Sequence, residues 1–119
     1  MRRYQRSHEP VVWSLFGAGG MVAAFLLPVL ILFSGVLMPL GVVDSTALSF
    51  DRARGFAGHW LGGLLVFSVI SLSTWHAMHR IFHSLNDLKI GARRLRFMIC
   101  YGCAACITLG AGVLVLTLQ

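Results

Sequence analysis

Residues 11–43 read VVWSLFGAGGMVAAFLLPVLILFSGVLMPLGVV, 33 residues without a single charge. A helix needs about 20 apolar residues to cross a hydrocarbon core of about 30 Å. The run is also far longer than the apolar segment of a cleavable signal, about 7–15 residues. It reads as an interfacial lead-in over residues 9–14 followed by a membrane span over about 15–40. Pro28 falls inside that span. It removes one backbone hydrogen bond and is expected to kink the helix, which neighbouring helices make tolerable in lipid.

Working outward, two further apolar runs predict spans over about 57–79 and 97–118. Between the first and second lies a polar connection, Val43 to Arg54, in which Asp44-Ser45 and Ser49-Phe50-Asp51 are candidate helix caps. Between the second and third lies a basic segment, Arg80 to Arg96. There is no internal repeat and no low-complexity tract. Of the 119 residues 57% are hydrophobic and only 12% charged, and the mean hydropathy is +0.79. Soluble domains carry roughly 25% charged residues. A soluble chain this small could not bury so much apolar surface, and disorder requires the opposite composition. The expectation is an all-α membrane protein, residues 1–119 forming one anchor domain of three transmembrane helices in the lipid bilayer.

The net charge is +6, from ten Lys and Arg against four Asp and Glu. These bases flank apolar runs, so they read as orientation signals and headgroup contacts rather than as a nucleic-acid surface. Arg2, Arg3 and Arg6 precede the first span, and Arg80, Lys89, Arg93, Arg94 and Arg96 lie in the second connection. Only Arg52 and Arg54 lie in the first. With three spans, eight of the ten bases share one side. The positive-inside rule makes that side cytoplasmic. The N-terminus is then cytoplasmic, and the C-terminus, Gln119, periplasmic.

Small residues recur at helical spacing. Gly58 and Gly62 are four apart, with Gly55 and Gly63 beside them, and Gly102, Cys106 and Gly110 continue the pattern in the third span. Such stripes let helices approach closely in lipid, either within this chain or against another membrane protein. Cys100, Cys103 and Cys106 spell CxxCxxC. The fourth cysteine and the proline of a ferredoxin run are missing, and on a helix the three positions drift around the surface. They read as small packing residues. An odd number of cysteines in one apolar run is no disulfide framework.

The segment WHAMHRIFHSLNDLKI places His76, His79 and His83 on one helix face. Ionisable groups at a membrane edge are functional suspects by default. Three readings are open. Haem ligation would require one histidine here and one from a partner, since two on one helix face cannot reach opposite sides of a porphyrin. A quinone site needs a donor for the carbonyl and a proton path, which histidine and arginine supply. Contact with lipid phosphate at the headgroup level is the third. Trp13, His79 and Arg80 all belong at the cytoplasmic membrane edge, although a tryptophan there also suits an ordinary aromatic belt.

These same residues carry a family resemblance. HEPVVWSLFGAGGM, Pro28, MPLG (Met38 to Gly41) and HRIFHSLNDLKI together resemble the D-type hydrophobic anchor of bacterial fumarate reductases, over nearly the whole chain. The resemblance implies a non-catalytic anchor in the bacterial inner membrane. With a sister anchor of the C type, it would dock an iron–sulfur subunit and a flavoprotein subunit on the cytoplasmic face. Menaquinol would be oxidised near that face for anaerobic respiration, and FAD and iron–sulfur clusters would reside only in the partner subunits. Carried onto this chain, the quinone-site residues are Trp13, His79 and Arg80, with Phe56 before the second span. A Gln-Ser pair of the enterobacterial-type pattern is replaced here by Gly58 and His59, and His76 is an extra histidine. Fumarate reductases with two separate anchors are similar in lacking haem b, so no haem is expected. The alternatives are a haem-b anchor of the succinate dehydrogenase kind and an unrelated small membrane protein acting alone.

Overall fold

A computed structural model describes residues 9–119, and no strand occurs among them. Arg2, Arg3 and Arg6, on which part of the orientation argument rests, lie outside the described residues. Helix α1 spans Glu9–Leu32 and continues into a π turn, Phe33–Leu37. A short helix α2 covers Phe50–Gly58, α3 covers Trp60–Asp87 and α4 covers Arg93–Leu118. Three segments are long and apolar enough to span a membrane: Trp13–Leu37, Trp60–Asp87 and Arg93–Leu118. At 1.5 Å per residue each reaches roughly 38–42 Å, more than the hydrocarbon core requires.

The end of α1 follows from its prolines. The helix keeps its α pattern through Pro28, and the irregularity appears later, before Pro39. Pro39 has no N–H, and its ring crowds the carbonyl four residues back. The turn before it widens to the π pattern, with the Met38 N–H donating to the Phe33 carbonyl at 3.0 Å. The chain then stops at Gly41, whose φ of +73° suits a residue without Cβ. The Gly41 N–H bonds the Met38 carbonyl and the Val42 N–H the Leu37 carbonyl, both at 3.0 Å. Those two bonds are the Schellman closure of a helix end.

The first connection differs from its reading as a wholly polar link. Asp44 caps no helix. Its carboxylate accepts the Thr46 N–H at 2.8 Å in a local Asx turn, and that bond holds the Asp44 carboxyl below its usual range. Ser49 does stand at the N-cap of α2, but its side chain makes no cap bond. The second span, expected from about residue 57, begins later: Ala57 and Gly58 end α2, and α3 starts at Trp60. His59 makes the break, with extended backbone at φ −78° and ψ 136°. Its Nδ1 accepts the Leu61 N–H at 3.3 Å and so caps α3. The helix then runs on to Asp87, beyond His79.

Helix α3 lies between α1 and α4, and the backbones of α1 and α4 do not approach each other among the described residues. The tighter seam is α3 against α4. Cys100, Ala104, Ala111 and Val115 of α4 are buried there, with Phe82 of α3. Trp75 crosses the seam to donate its indole N–H to Thr108 Oγ1 at 3.0 Å. Gly62 is pressed so closely to the Phe56 carbonyl of α2 that a Cβ has no room. The expected Gly58–Gly62 stripe therefore packs within the chain. The stripe Gly102, Cys106 and Gly110 does not: all three are exposed. A Cβ on Gly102 or Gly110 would meet nothing within 4 Å. The cysteines drift as expected on a helix. Cys100 is buried, Cys103 and Cys106 are exposed, and all three are free.

Candidate functional site

Helix α1 meets α3 where its glycines fall. Gly19 sits directly against the Leu72 backbone, leaving no space for a Cβ, and a Cβ on Gly20 would come 2.6 Å from the His76 ring. The close approach brings the Phe16 carbonyl to His76 Nδ1, 2.6 Å away. A carbonyl only accepts, so His76 carries its proton on Nδ1 and donates. The extra histidine thus has a structural role. It ties the start of α1 to the last third of α3.

One turn further, His79 is held on three sides. The Phe16 ring stacks on it with centroids 3.9 Å apart and planes 11° from parallel. The His83 ring meets it edge-on at 4.4 Å. Tyr101, reaching across from α4, places its hydroxyl 2.8 Å from His79 Nδ1. The Tyr101 ring is itself packed against Phe97 at 4.7 Å and Phe82 at 5.5 Å. Neither Phe16 nor Tyr101 is legible as a site residue in the sequence. Both look like ordinary apolar-span aromatics until the helices are assembled.

Beside this group opens a cleft of about 260 Å³, lined by Trp13, Phe16, Gly17, His76, His79, Arg80 and His83. Three of the four candidate residues read from the sequence, Trp13, His79 and Arg80, share it. Trp13 is 74% exposed and Arg80 is exposed, so both project outward at its rim. Phe56 is not brought to this cleft. Its carbonyl packs on Gly62, which lies about 25 Å along α3 from His79 at 1.5 Å per residue. Two roomier cavities, about 390 and 450 Å³, lie toward the opposite end between α3 and α4. Their walls are almost wholly apolar, so volume does not mark the site; convergent polar groups do. Among the described residues no three His, Cys, Asp or Glu side chains are arranged to hold a metal ion.

The depth of the cleft follows from arithmetic on α3. From Trp60, about 30 Å of helix ends near His79, so His79 and Arg80 lie at one membrane boundary and His83 just beyond it. The fold and the cleft together define a multi-pass membrane protein with an aromatic, histidine- and arginine-lined site at one membrane edge. A family model for the D-type subunit of fumarate reductase matches residues 3–116. The chain is 43% identical to the D-type fumarate reductase subunit of Vibrio vulnificus (strain YJ016) over 117 residues, 98% of this chain and 94% of that one. It is 45% identical to the corresponding protein of Vibrio cholerae serotype O1 (strain M66-2) over 104 residues, 87% of this chain and 80% of that one. To that of Shewanella sp. (strain W3-18-1) it is 43% identical over 118 residues, 97% and 95% of the two chains. The chain belongs to the family of D-type fumarate reductase subunits.

Proposed function

We propose that this membrane-anchor subunit of a fumarate reductase forms half of a menaquinol-oxidising site at the cytoplasmic face of the bacterial inner membrane. Its partners are the C-type anchor within the bilayer and the iron–sulfur and flavoprotein subunits docked above. The partners' iron–sulfur clusters and FAD carry electrons from quinol to fumarate, and this chain supplies no catalytic centre of its own.

The observation that carries the reading is the convergence of Trp13, His79 and Arg80 on one cleft. His79 Nε2 makes no hydrogen bond within the described residues and is not buried. It is available to a quinol oxygen. Oxidising a quinol releases protons, and an imidazole nitrogen at the membrane edge is a suitable acceptor. The Arg80 guanidinium, always charged, stabilises negative charge as it develops on that oxygen. Trp13 supplies an indole N–H and an apolar face for the ring. The cleft, at about 260 Å³, falls below the roughly 300–1,000 Å³ of a complete small-molecule pocket. Partner subunits would close it.

In the assembled four-subunit complex, Arg80→Leu and Trp13→Ala each lower the quinol:fumarate rate at least about tenfold, the lower range for loss of a positioned proton-transfer or charge-stabilising group. Fumarate reduction driven by reduced viologen is unchanged. Normal quinol oxidation in both variants would falsify the site.

A further inference from the structure

Building on the proposed quinol site, we infer that Tyr101 is a positioning residue that sets which nitrogen of His79 faces the substrate as donor or acceptor. The Tyr101 hydroxyl lies 2.8 Å from His79 Nδ1, on the side of the ring away from the free nitrogen. It touches no other acceptor among the described residues. A hydroxyl that only accepted here would leave its own proton without a partner, which is costly in a half-buried place. Tyr101 therefore donates to Nδ1 in the resting site, and His79 carries its proton on Nε2.

The same hydroxyl can reverse its role. When a quinol O–H gives its proton to Nε2, the proton on Nε2 must first have moved elsewhere, and Nδ1 then carries one. A tyrosine oxygen accepts from Nδ1–H as readily as its O–H donates to bare Nδ1. A main-chain carbonyl in that position could serve only one of the two forms. His76 illustrates the contrast: its Nδ1 faces the Phe16 carbonyl and is locked as a donor. Two adjacent histidines on one helix face are thus given different freedoms by their partners. The fixed one secures Phe16, whose ring stacks on the other.

The aromatic cage fixes the hydroxyl in place. Phe97 and Phe82 pack on the Tyr101 ring at 4.7 and 5.5 Å, and Trp75 lies 6.0 Å away. Replacing Tyr101 by Phe keeps that packing and deletes only the hydrogen bond.

The test compares three variants of the complete complex with the unmodified one. Tyr101→Phe lowers kcat for quinol oxidation roughly 10–100-fold, as when a metal-site histidine loses its outer hydrogen-bond partner. KM stays within about twofold, the pattern of a group acting in the transition state rather than in binding. Viologen-driven fumarate reduction is unchanged. Phe97→Leu loosens the cage but keeps the hydroxyl, and retains most of kcat. His79→Ala loses quinol oxidation. If His79→Ala is normal, the site reading itself fails. If His79→Ala is inactive and Tyr101→Phe retains full kcat, Tyr101 alone is overturned. Equal losses in Tyr101→Phe and Phe97→Leu also overturn it, since packing would then suffice. Independently of any variant at Tyr101, ¹⁵N histidine NMR of the quinone-free complex, assigned by subtraction of the His79→Ala spectrum, shows His79 protonated on Nε2. Protonation on Nδ1 instead contradicts the inference.

Discussion

Arg96 is counted in the sequence as one of the bases that set orientation, yet its geometry does something local. Its Nη1 donates to the Leu85 carbonyl at 3.0 Å and to the Ile90 carbonyl at 2.6 Å. Leu85 is one of the last carbonyls of α3, the end where a helix lacks partners and carries partial negative charge. The same carbonyl takes the Ile90 N–H, while the Lys89 N–H bonds Asn86. This is a second Schellman closure, with Lys89 at φ +53° where glycine is usual. A strained lysine is thus held in place by an arginine further along the chain. Arg96→Met should lower thermal stability of the complex by about 1–2 kcal/mol, the worth of two such bonds, and Arg96→Lys should recover only part. Equal stability of the Met variant would show that the bonds contribute nothing. Of this the sequence disclosed the charge and not the acceptors, because both carbonyls come from backbone that only the turn brings within reach. The same division holds for His76 and His79. Their shared face follows from helical periodicity, whereas one faces a carbonyl and the other a hydroxyl only because α1 and α4 arrive on different sides.

At the scale of elements, the α1–α3 contact is concentrated at its glycines. From Ala24 to Val36 every residue of the first span is exposed, so beyond Ala23 the helix leaves α3. An apolar helix gains nothing from burial against another helix when lipid is the alternative. Close backbone approach and hydrogen bonds must hold it, and these occur at Gly19, Gly20 and the Phe16–His76 bond. Gly19→Val forces the backbones apart and should destabilise the protein by about 1–3 kcal/mol, as overpacking does, while weakening quinol oxidation by opening the cleft. Gly17→Ala, where a Cβ meets open space, should change stability by less than about 0.5 kcal/mol. Similar losses for both would show that the close approach is not what holds α1. The sequence marked the stripe of Gly58 and Gly62 and that of Gly102, Cys106 and Gly110 alike. Spacing on one helix cannot say which stripe finds a neighbour in the same chain. α2 was likewise hidden, because a short segment with two arginines and an aspartate reads as a connection until the break at His59 separates it from α3.

For the molecule as a whole, orientation joins the charge count to the cleft. The start of α1 and the end of α3 lie at one end of the molecule, and α2 packs at the other, where Gly58 meets the Leu118 carbonyl. By the charge rule the cleft end faces the cytoplasm. Alkaline phosphatase fused after Gln119 should therefore be active, and a green fluorescent protein fusion there should be dark. The opposite result would reverse the topology and move the cleft to the wrong face for cytoplasmic electron-transfer partners. Three spans and the polarity expected of them were legible in the sequence alone. Both depend on sums over many residues, apolar length and positional charge, which no single contact can overturn. The cleft was decided by tertiary structure. Trp13, Tyr101 and the histidines are far apart along the chain, and hydrogen-bond direction depends on atoms within about 3 Å of one another, a distance that only packed helices specify.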